Sequence, residues 1–303
     1  MRYLSVVDIA QLWEMSERTI RNYCAQGKIK GAFRKGKTWN IPEDAKRPEV
    51  RRRVDRQNSE LLEVLRREKR SKLHGGMYHK LQIELTYNSN HIEGSELTHD
   101  QTRCIYETNT IECEHTPLNI DDIVETANHF RCIDLMIDRA NFTLSEPFIK
   151  QLHFILKSGT SDSREHWFAV GEYKKLPNEV GGRETTLPEH VADEMQSLLD
   201  AYRAKKRITL DDIIEFHVRF ETIHPFQDGN GRIGRLIIFK ECLHWNIVPF
   251  IIYDTMKMYY YRGLQEWQKE KGFLRDTCLT AQDIFKQYLE YFRIPYTNGN
   301  VEV

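Results

Sequence analysis

The segment His224–Arg235 (HPFQDGNGRIGR) concentrates side chains that can handle phosphate groups. It opens with a histidine, carries one carboxylate at Asp228, and ends with two arginines, Arg232 and Arg235. Guanidinium groups bind phosphate oxygens, a carboxylate can hold Mg²⁺, and histidine can act as a general base near neutral pH. These residue types at this spacing indicate chemistry on the phosphates of a nucleotide.

Two helices must meet at this segment for its side chains to act together. Pro225 ends the first helix, because proline disfavours helical geometry in the residue before it. Gly229 and Gly231 flank Asn230 and allow backbone amides to turn towards an anion. A second helix beginning near Gly231 would point its free N–H groups at the same place. The first helix is predicted from four apolar residues at helical spacing: Ile213, Phe216, Phe220 and Ile223.

Each of these residues taken alone has a structural alternative. His224 by itself also fits a buried core histidine, and the two arginines fit an ordinary surface with ion pairs. The complete string favours a functional site over these alternatives. A zinc site is the less favoured interpretation, because only His217, His224 and Asp228 would converge and no cysteine joins them.

The string resembles the signature of the Fic family, H-x-F-x-(D/E)-G-N-G-R-x-x-R. The related Doc kinases depart from it in the glycine-asparagine-glycine segment, which this chain keeps. The resemblance covers roughly residues 77–290 and implies an all-α fold whose members mostly transfer AMP from ATP to a hydroxyl of a target protein. Every fixed position of the signature is matched: His224, Phe226, Asp228, Gly229, Asn230, Gly231, Arg232 and Arg235.

The resemblance implies a role for each matched residue. His224 would deprotonate the incoming Ser, Thr or Tyr hydroxyl, which attacks the α-phosphate. Asp228 would hold Mg²⁺ between the α- and β-phosphates, and Arg235 would bind the γ-phosphate. Tyr261, with Gln268, stands where family members line the adenine pocket, although an aromatic residue at this spacing also fits the core. The phosphates would be cradled by Gly229, Asn230, Gly231 and Arg232.

A short hairpin is predicted over Tyr173–Leu187, with Gly181 and Gly182 at its turn. It matches the flap of the family, along which the main chain of the target would align by adding a strand. Lys174 is a departure, because an arginine is expected at that position.

An upstream segment, Ser89–Gly94 (SNHIEG), suggests how activity is restrained. It matches the inhibitory pattern of the family, (S/T)-x-x-x-E-(G/N), in which Ser89, Glu93 and Gly94 are the fixed positions. A helix ending there can present the Glu93 carboxylate to Arg235, which would occupy the guanidinium that the γ-phosphate needs. The alternative is a surface helix terminus with a solvated glutamate.

The first fifty residues are predicted to bind DNA. Ser5 can cap one short helix, and a second helix over Glu17–Cys24 turns Arg18, Arg21 and Asn22 outward, where they could read base edges. The segment Lys28–Pro42 alternates like a basic hairpin. The stretch resembles the winged helix-turn-helix of the excisionase and MerR-like class. A protein-binding module that no longer contacts DNA remains the alternative.

Composition is consistent with a folded chain of more than one domain. The 303 residues carry 44 Lys+Arg against 45 Asp+Glu, but residues 1–73 hold nineteen of the basic and ten of the acidic ones, a net charge of +9. That asymmetry fits either a polyanion-binding module or solvated, salt-bridged helices. We predict a mainly α protein with a winged helix-turn-helix at 1–50, a basic linker helix at 51–76 and an all-α Fic domain with a β-hairpin flap at 77–295.

No apolar run approaches the ~18 residues of a spanning helix, and no signal peptide precedes the first motif. Together with six scattered cysteines, this predicts a cytoplasmic protein without a membrane partner. The resemblance adds a homodimer as an expectation.

Three functions remain open from the sequence. The first is a protein adenylyltransferase that uses ATP and Mg²⁺, is autoinhibited by Glu93 and modifies a target protein, which can be itself. The second is the reverse hydrolase, which removes AMP with the same residues. The third is a transcriptional regulator whose nucleotide site only senses. The intact His224 disfavours the third, because a sensor does not need a base.

Overall fold

The computed structural model describes residues 3–13, 17–25, 27–36, 38–46, 59–111 and 117–296, except the side chains of residues 18 and 19. Its contacts divide the chain into two compact units, Met1–Gln57 and Asn58–Val303. Each unit has a hydrophobic core of its own. The candidate site lies entirely within the second unit.

The first unit combines two short helices with a three-stranded antiparallel sheet. Ser5 caps α1 through a reciprocal capping box with Asp8, as the sequence predicts for the cap. The predicted hairpin is present as β2 and β3, which pair up to Lys35 opposite Thr38. Its elements are β1 (Tyr3–Leu4), α1 (Val6–Leu12), α2 (Glu17–Ala25), β2 (Phe33–Lys35) and β3 (Thr38–Pro42), with the sheet in the order β1-β3-β2.

The second unit is helical apart from one two-stranded hairpin in its described part. The hairpin pairs β4 (Glu179–Val180) with β5 (Arg183–Glu184), so it is shorter than the predicted segment. The helices are α3 (Glu60–Ser71), α4 (Met77–Ile92), α5 (His99–Thr108), α6 (Ile120–Arg139), α7 (Glu146–Lys157), α8 (Pro188–Ala204), α9 (Leu210–Ile223), α10 (Asn230–Trp245), α11 (Lys257–Glu266) and α12 (Gly272–Tyr291).

Helix α10 is buried on nearly all sides and forms the centre of this unit. Every residue from Asn230 to Leu243 is buried, including the polar ones. Helices α4, α6, α7 and α9 pack around it. A helix buried all round cannot solvate its charged side chains, so each of them needs a partner inside the protein.

The helix expected between residues 51 and 76 is present as α3, and its residues Leu61, Leu62 and Leu65 are buried in the core of the second unit. Helix α12 begins at Gly272, and its first turns pack against Gly263 of α11. A 3₁₀ turn over Asp254–Met256 directly precedes α11.

None of the described helices is both long enough and apolar enough to pass through a lipid bilayer.

Candidate functional site

The predicted phosphate-handling segment forms the turn between α9 and α10. His224 follows the last residue of α9 and adopts a left-handed conformation, with φ of +51°, which is uncommon for a residue with a side chain. Gly229, with φ of +81°, precedes the first residue of α10. The chain therefore reverses within five residues, and both His224 and the first turn of α10 line the same cleft.

The Asn230 side chain closes this turn. Its amide nitrogen donates to the Phe226 carbonyl, and its amide oxygen accepts from the Phe226 N–H, both at 2.8 Å. Phe226 is fully buried and stacks on the ring of His153, with centroids 4.0 Å apart. The side chain of Asn230, a residue that the resemblance places in the phosphate cradle, is thus committed to the loop. The backbone N–H groups of the first turn of α10 have no side-chain cap and can accept an anion.

Asp228 belongs to a closed ring of four charged side chains. Its Oδ2 lies 2.6 Å from Lys157 Nζ and 3.1 Å from the Arg232 guanidinium. Glu125 accepts from the same two cations, one with each carboxylate oxygen. Burial raises the pKa of Asp228, but the two cations outweigh it and hold that pKa well below its ordinary value. The Arg232 side chain is buried against these carboxylates instead of facing the cleft.

Asp228 fits a magnesium ion that is shared with a nucleotide. Its side chain is about half exposed (49%) and offers the hard oxygen ligand that Mg²⁺ prefers. Such an ion is commonly held by one or two carboxylates together with substrate phosphates and water. No group of three or more His, Cys, Asp or Glu side chains arranged for a metal occurs among the described residues. An ion at Asp228 would therefore take its other ligands from phosphates and water.

The end of α4 meets Arg235 directly. Glu93, the C-cap residue of α4, places Oε1 2.6 Å from the Arg235 guanidinium. Ser89 adds two further contacts to that guanidinium: its Oγ accepts from Nε at 3.0 Å, and its carbonyl accepts at 2.8 Å from Nη2, the nitrogen that also contacts Glu93. Gly94, with φ of +102°, follows and lets the chain leave the helix. Two residues of the predicted inhibitory motif, Ser89 and Glu93, therefore contact Arg235 directly.

A cleft of about 580 Å³ opens between the end of α4, the α9–α10 turn, α11 and the hairpin. Its wall includes Glu93, His224, Gly231, Arg235 and Tyr261. Tyr261 also donates to the carbonyl of Ile92 at 3.3 Å, so it contacts the last turn of α4. The volume lies in the range of small-molecule sites and is compatible with a nucleotide.

His224 has an environment that lowers its basicity. Burial and the nearby ammonium group of Lys174 lower the pKa of His224 to about 4. Its Nδ1 is buried without a hydrogen-bond partner. Lys174 is itself buried and binds the Asn178 and Thr185 side chains at 2.7 and 2.6 Å, on either side of the hairpin. Lys174, which stands where an arginine is expected, thus joins the hairpin to the site.

Sequence reasoning missed four residues that shape this site. His153 and Lys157 lie one turn apart on α7: the first contacts the Asp228 carbonyl at 3.2 Å, and the second contacts its side chain. Glu125 comes from α6. No local signal connects these residues to the segment more than sixty positions away. Glu221 had a signal, because it stands three residues before His224 on the same predicted helix.

The residues predicted to read DNA lie on α2 in the first unit. Arg21 and Asn22 are exposed, and the Arg21 guanidinium pairs with Glu17 at 2.7 Å on the same helix. The side chain of Arg18 lies outside the described residues. An exposed pair of this kind is worth little and can open when a phosphate approaches.

The region around the turn is similar to a known protein family. Residues 143–241 match the model described as the Fic/DOC family. Protein adenylyltransferase fic-1 of Caenorhabditis elegans is 24% identical over 182 residues, which are 59% of this chain and 35% of the relative. Protein adenylyltransferase Fic of Nematostella vectensis is 25% identical over 184 residues, 59% of this chain and 42% of the relative. The chain thus spans less than half the length of these curated relatives.

Solved structures show the same helical fold. A Fic domain containing signaling protein from Bacteroides thetaiotaomicron aligns with a TM-score of 0.61 and 24% identity, over 76% of this chain and 94% of that one. Fic-1 from C. elegans aligns with a TM-score of 0.56 and 18% identity, over 77% and 72%.

Proposed function

We propose, from the match to the Fic/DOC family at residues 143–241 and the cleft built there, that this protein transfers AMP from ATP to a Ser, Thr or Tyr hydroxyl of a target protein. The observation that carries the proposal is the meeting of His224, the uncapped N-terminus of α10 and Arg235 in one cleft of nucleotide size. The curated relatives named protein adenylyltransferase support the same activity.

The geometry supports a simple sequence of events. The N–H groups of the first turn of α10 bind phosphate oxygens, and Arg235 binds the terminal phosphate. The target hydroxyl gives its proton to His224 while its oxygen forms a bond to the α-phosphorus. The bond from that phosphorus to the bridging oxygen breaks, and pyrophosphate leaves with the electron pair. Tyr261 is the residue on the cleft wall assigned to the adenine.

Asp228 is assigned to a magnesium ion on the phosphates. A bound Mg²⁺ would neutralise phosphate charge during the transfer. The cations of Lys157 and Arg232 orient the Asp228 carboxylate. His153 contacts the backbone carbonyl of the same residue. The ring of charges around it keeps the carboxylate ionised and in place.

The Glu93–Arg235 contact supports autoinhibition as part of the proposal. Arg235 Nη2 donates to both the Glu93 carboxylate and the Ser89 carbonyl, Nε donates to Ser89 Oγ, and Nη1 has no partner. A γ-phosphate would have to displace or face the Glu93 carboxylate, and two anions at one guanidinium repel each other. We therefore assign Ser89, Glu93 and Gly94 to a restraint that holds the enzyme below its full rate.

The reverse reaction uses the same groups and is the second candidate. His224 and Asp228 would also serve a water that removes AMP from a modified protein, and Glu93 reaches the cleft where it could orient that water. Mass spectrometry separates the two directions. Incubation with ATP should add AMP to a hydroxyl side chain of the protein or a co-purified target, whereas a hydrolase would release AMP from a pre-modified one. Nucleotide binding with neither change would indicate a sensor.

DNA binding is proposed for the first unit. An exposed face of α2 with Arg21 and Asn22, followed by a basic hairpin that exposes Arg34 and Lys35, is compatible with a recognition helix and a wing. AMP transfer and DNA binding would then be joined in one chain.

A further inference from the structure

Glu221 lies one turn before His224 on α9, at the wall of the cleft, with its side chain only 13% exposed. Its Oε2 lies 3.9 Å from His224 Nδ1, and its Oε1 lies 3.9 Å from His217 Nδ1. The Nδ1 atoms of both histidines and Oε1 of Glu221 are buried and have no hydrogen-bond partner. Buried polar atoms are usually paired, so three that converge without partners mark a place where hydrogen bonds change in function.

Neighbouring helices are shaped to accommodate this carboxyl group. A Cβ at Gly234 of α10 would come within 2.6 Å of Glu221 Oε1 and 2.7 Å of the His217 ring, so only glycine leaves room. His217 is held in turn by the Tyr260 hydroxyl of α11, 2.7 Å from its Nε2. The position of Glu221 is therefore set by three helices and not by α9 alone.

We infer that Glu221 is a positioning residue for His224: its carboxylate accepts the Nδ1–H of the imidazole and leaves Nε2 unprotonated to take the proton of the target hydroxyl. The inference rests on the proposed function, because it concerns the base of that same transfer. His224 Nδ1 is buried while the ring lines the cleft, so Nε2 is the nitrogen on the reacting side. A movement of about 1 Å converts the present separation into a hydrogen bond, as often happens when substrate binds.

The same arrangement couples Glu221 to Glu93. Burial and the Glu93 carboxylate raise the pKa of Glu221 to about 8, whereas Arg235 lowers it. With Glu93 on Arg235, the raised pKa favours the protonated form of Glu221, which is a poorer acceptor for the Nδ1–H of His224. When Glu93 leaves, Arg235 faces Glu221 without a competing carboxylate, and Glu221 ionises more readily.

Glu93 therefore restrains the enzyme twice, at the Arg235 guanidinium and, through Glu221, at the base His224. The other charged and titratable groups that face Glu221 and His224 come from several elements: Glu93 at the end of α4, Lys174 before the hairpin, His217 on α9, Asp228 in the turn, Arg235 on α10 and Tyr260 on α11.

Enzyme kinetics test the inference in the Glu93→Gly variant, which lacks the ion pair between Glu93 and Arg235. We compare Glu93→Gly with Glu93→Gly/Glu221→Gln in the full chain, since glutamine keeps the shape but cannot ionise. We expect kcat to fall about tenfold or more while the KM for ATP stays within about twofold. The matched control is Glu215→Gln in the same background, which removes a carboxylate of α9 that binds Trp267 and Lys271 away from the cleft.

Nuclear magnetic resonance of ¹⁵N-histidine-labelled protein gives a readout independent of turnover. The His224 signal is assigned by its loss in His224→Ala. In Glu93→Gly the imidazole should carry its proton on Nδ1, and adding Glu221→Gln in that background should lower the His224 pKa by about one unit and remove the preference for the Nδ1–H tautomer. Identical titration, tautomer and kcat with and without Glu221 would overturn the inference. Failure of Glu93→Gly to incorporate any AMP would instead overturn the proposed function, and the titration would still decide the role of Glu221.

Discussion

The Glu93 carboxylate lies directly against Gly231 in the first turn of α10. A Cβ at Gly231 would overlap Glu93 Oε1, so the carboxylate approaches the helix backbone as closely as glycine permits. The same oxygen is 2.6 Å from Arg235. Because a helix N-terminus attracts anions, Glu93 occupies a position that suits a phosphate oxygen. We therefore expect Glu93 and a nucleotide phosphate to compete for this position.

Replacing Glu93 by glycine should increase AMP transfer. An ion pair of about 2 kcal/mol at this site corresponds to a rate change of about 30-fold. The measurement is the initial rate of AMP incorporation, including self-modification. Glu96→Gly is the matched control, since it removes an exposed carboxylate three residues away. Equal rates for the wild type and Glu93→Gly would show that the contact does not restrain the enzyme.

Replacing His224 by alanine in the Glu93→Gly background should abolish transfer but keep ATP binding. General bases contribute about 10²- to 10⁴-fold, and the phosphate contacts come from α10 and Arg235. Rates and calorimetric ATP affinity are measured together, with the exposed His190→Ala as control. Transfer that persists at the rate of the His190 control would remove His224 from the mechanism.

Replacing Asn230 by alanine should destabilise the protein through the turn. The change removes both hydrogen bonds to Phe226. The Phe226 carbonyl keeps its contact with the Asn178 amide, but the buried Phe226 N–H is left unpaired, which costs about 2 kcal/mol. For a unit of this size the expected fall in Tm is about 4–8 °C. Gln196→Ala, which breaks an exposed contact with Asp200 on α8, should change stability by less than about 0.5 kcal/mol. A Tm equal to that of this control would contradict the proposed closure.

Lys174 should make stability depend on pH in the alkaline range. Burial lowers its pKa from 10.5 to about 8 in the folded chain. Between those two values the unfolded chain binds more protons than the folded one, so the contribution of Lys174 to stability rises with pH. Urea unfolding from pH 7 to pH 10 should show the wild type gaining stability relative to Lys174→Met, and not relative to the exposed Lys175→Met. If the difference in unfolding free energy between the wild type and Lys174→Met does not change with pH, Lys174 has the same pKa in the folded and the unfolded chain.

Replacing Arg18 and Arg21 by alanine should weaken retention on duplex DNA. Each lost phosphate contact lowers the slope of log affinity against log salt by about one, and a lost base contact costs about 1–3 kcal/mol. Gel retardation at several salt concentrations measures both. Arg203→Ala, on α8 of the second unit, serves as the control for lost charge. Absence of DNA retention by the wild type at low salt would rule out this role.

The sequence was most informative where spacing along the chain fixes neighbours in space. His224 and Asp228 lie in one turn and Arg235 lies on the helix that follows it, so their approach was predictable from a proline, two glycines and helical periodicity. The Glu93–Arg235 contact was predictable only through the motif that resembles the Fic family. The ring of Lys157, Glu125 and Arg232 was not predictable, because tertiary packing of α6 and α7 against a fully buried α10 creates it. The same burial turns the side chains of Arg232 and Asn230 away from the cleft that sequence reasoning assigned them to.

The central claim is that the cleft directs a hydroxyl to the α-phosphate of ATP. Its most direct test compares Glu93→Gly protein incubated with Mg²⁺ and ATP labelled either at the α-phosphate or at the γ-phosphate. We predict that the α-label alone becomes bound to protein and that His224→Ala abolishes the incorporation. Incorporation of the γ-label, or of neither label while ATP remains bound, would contradict it.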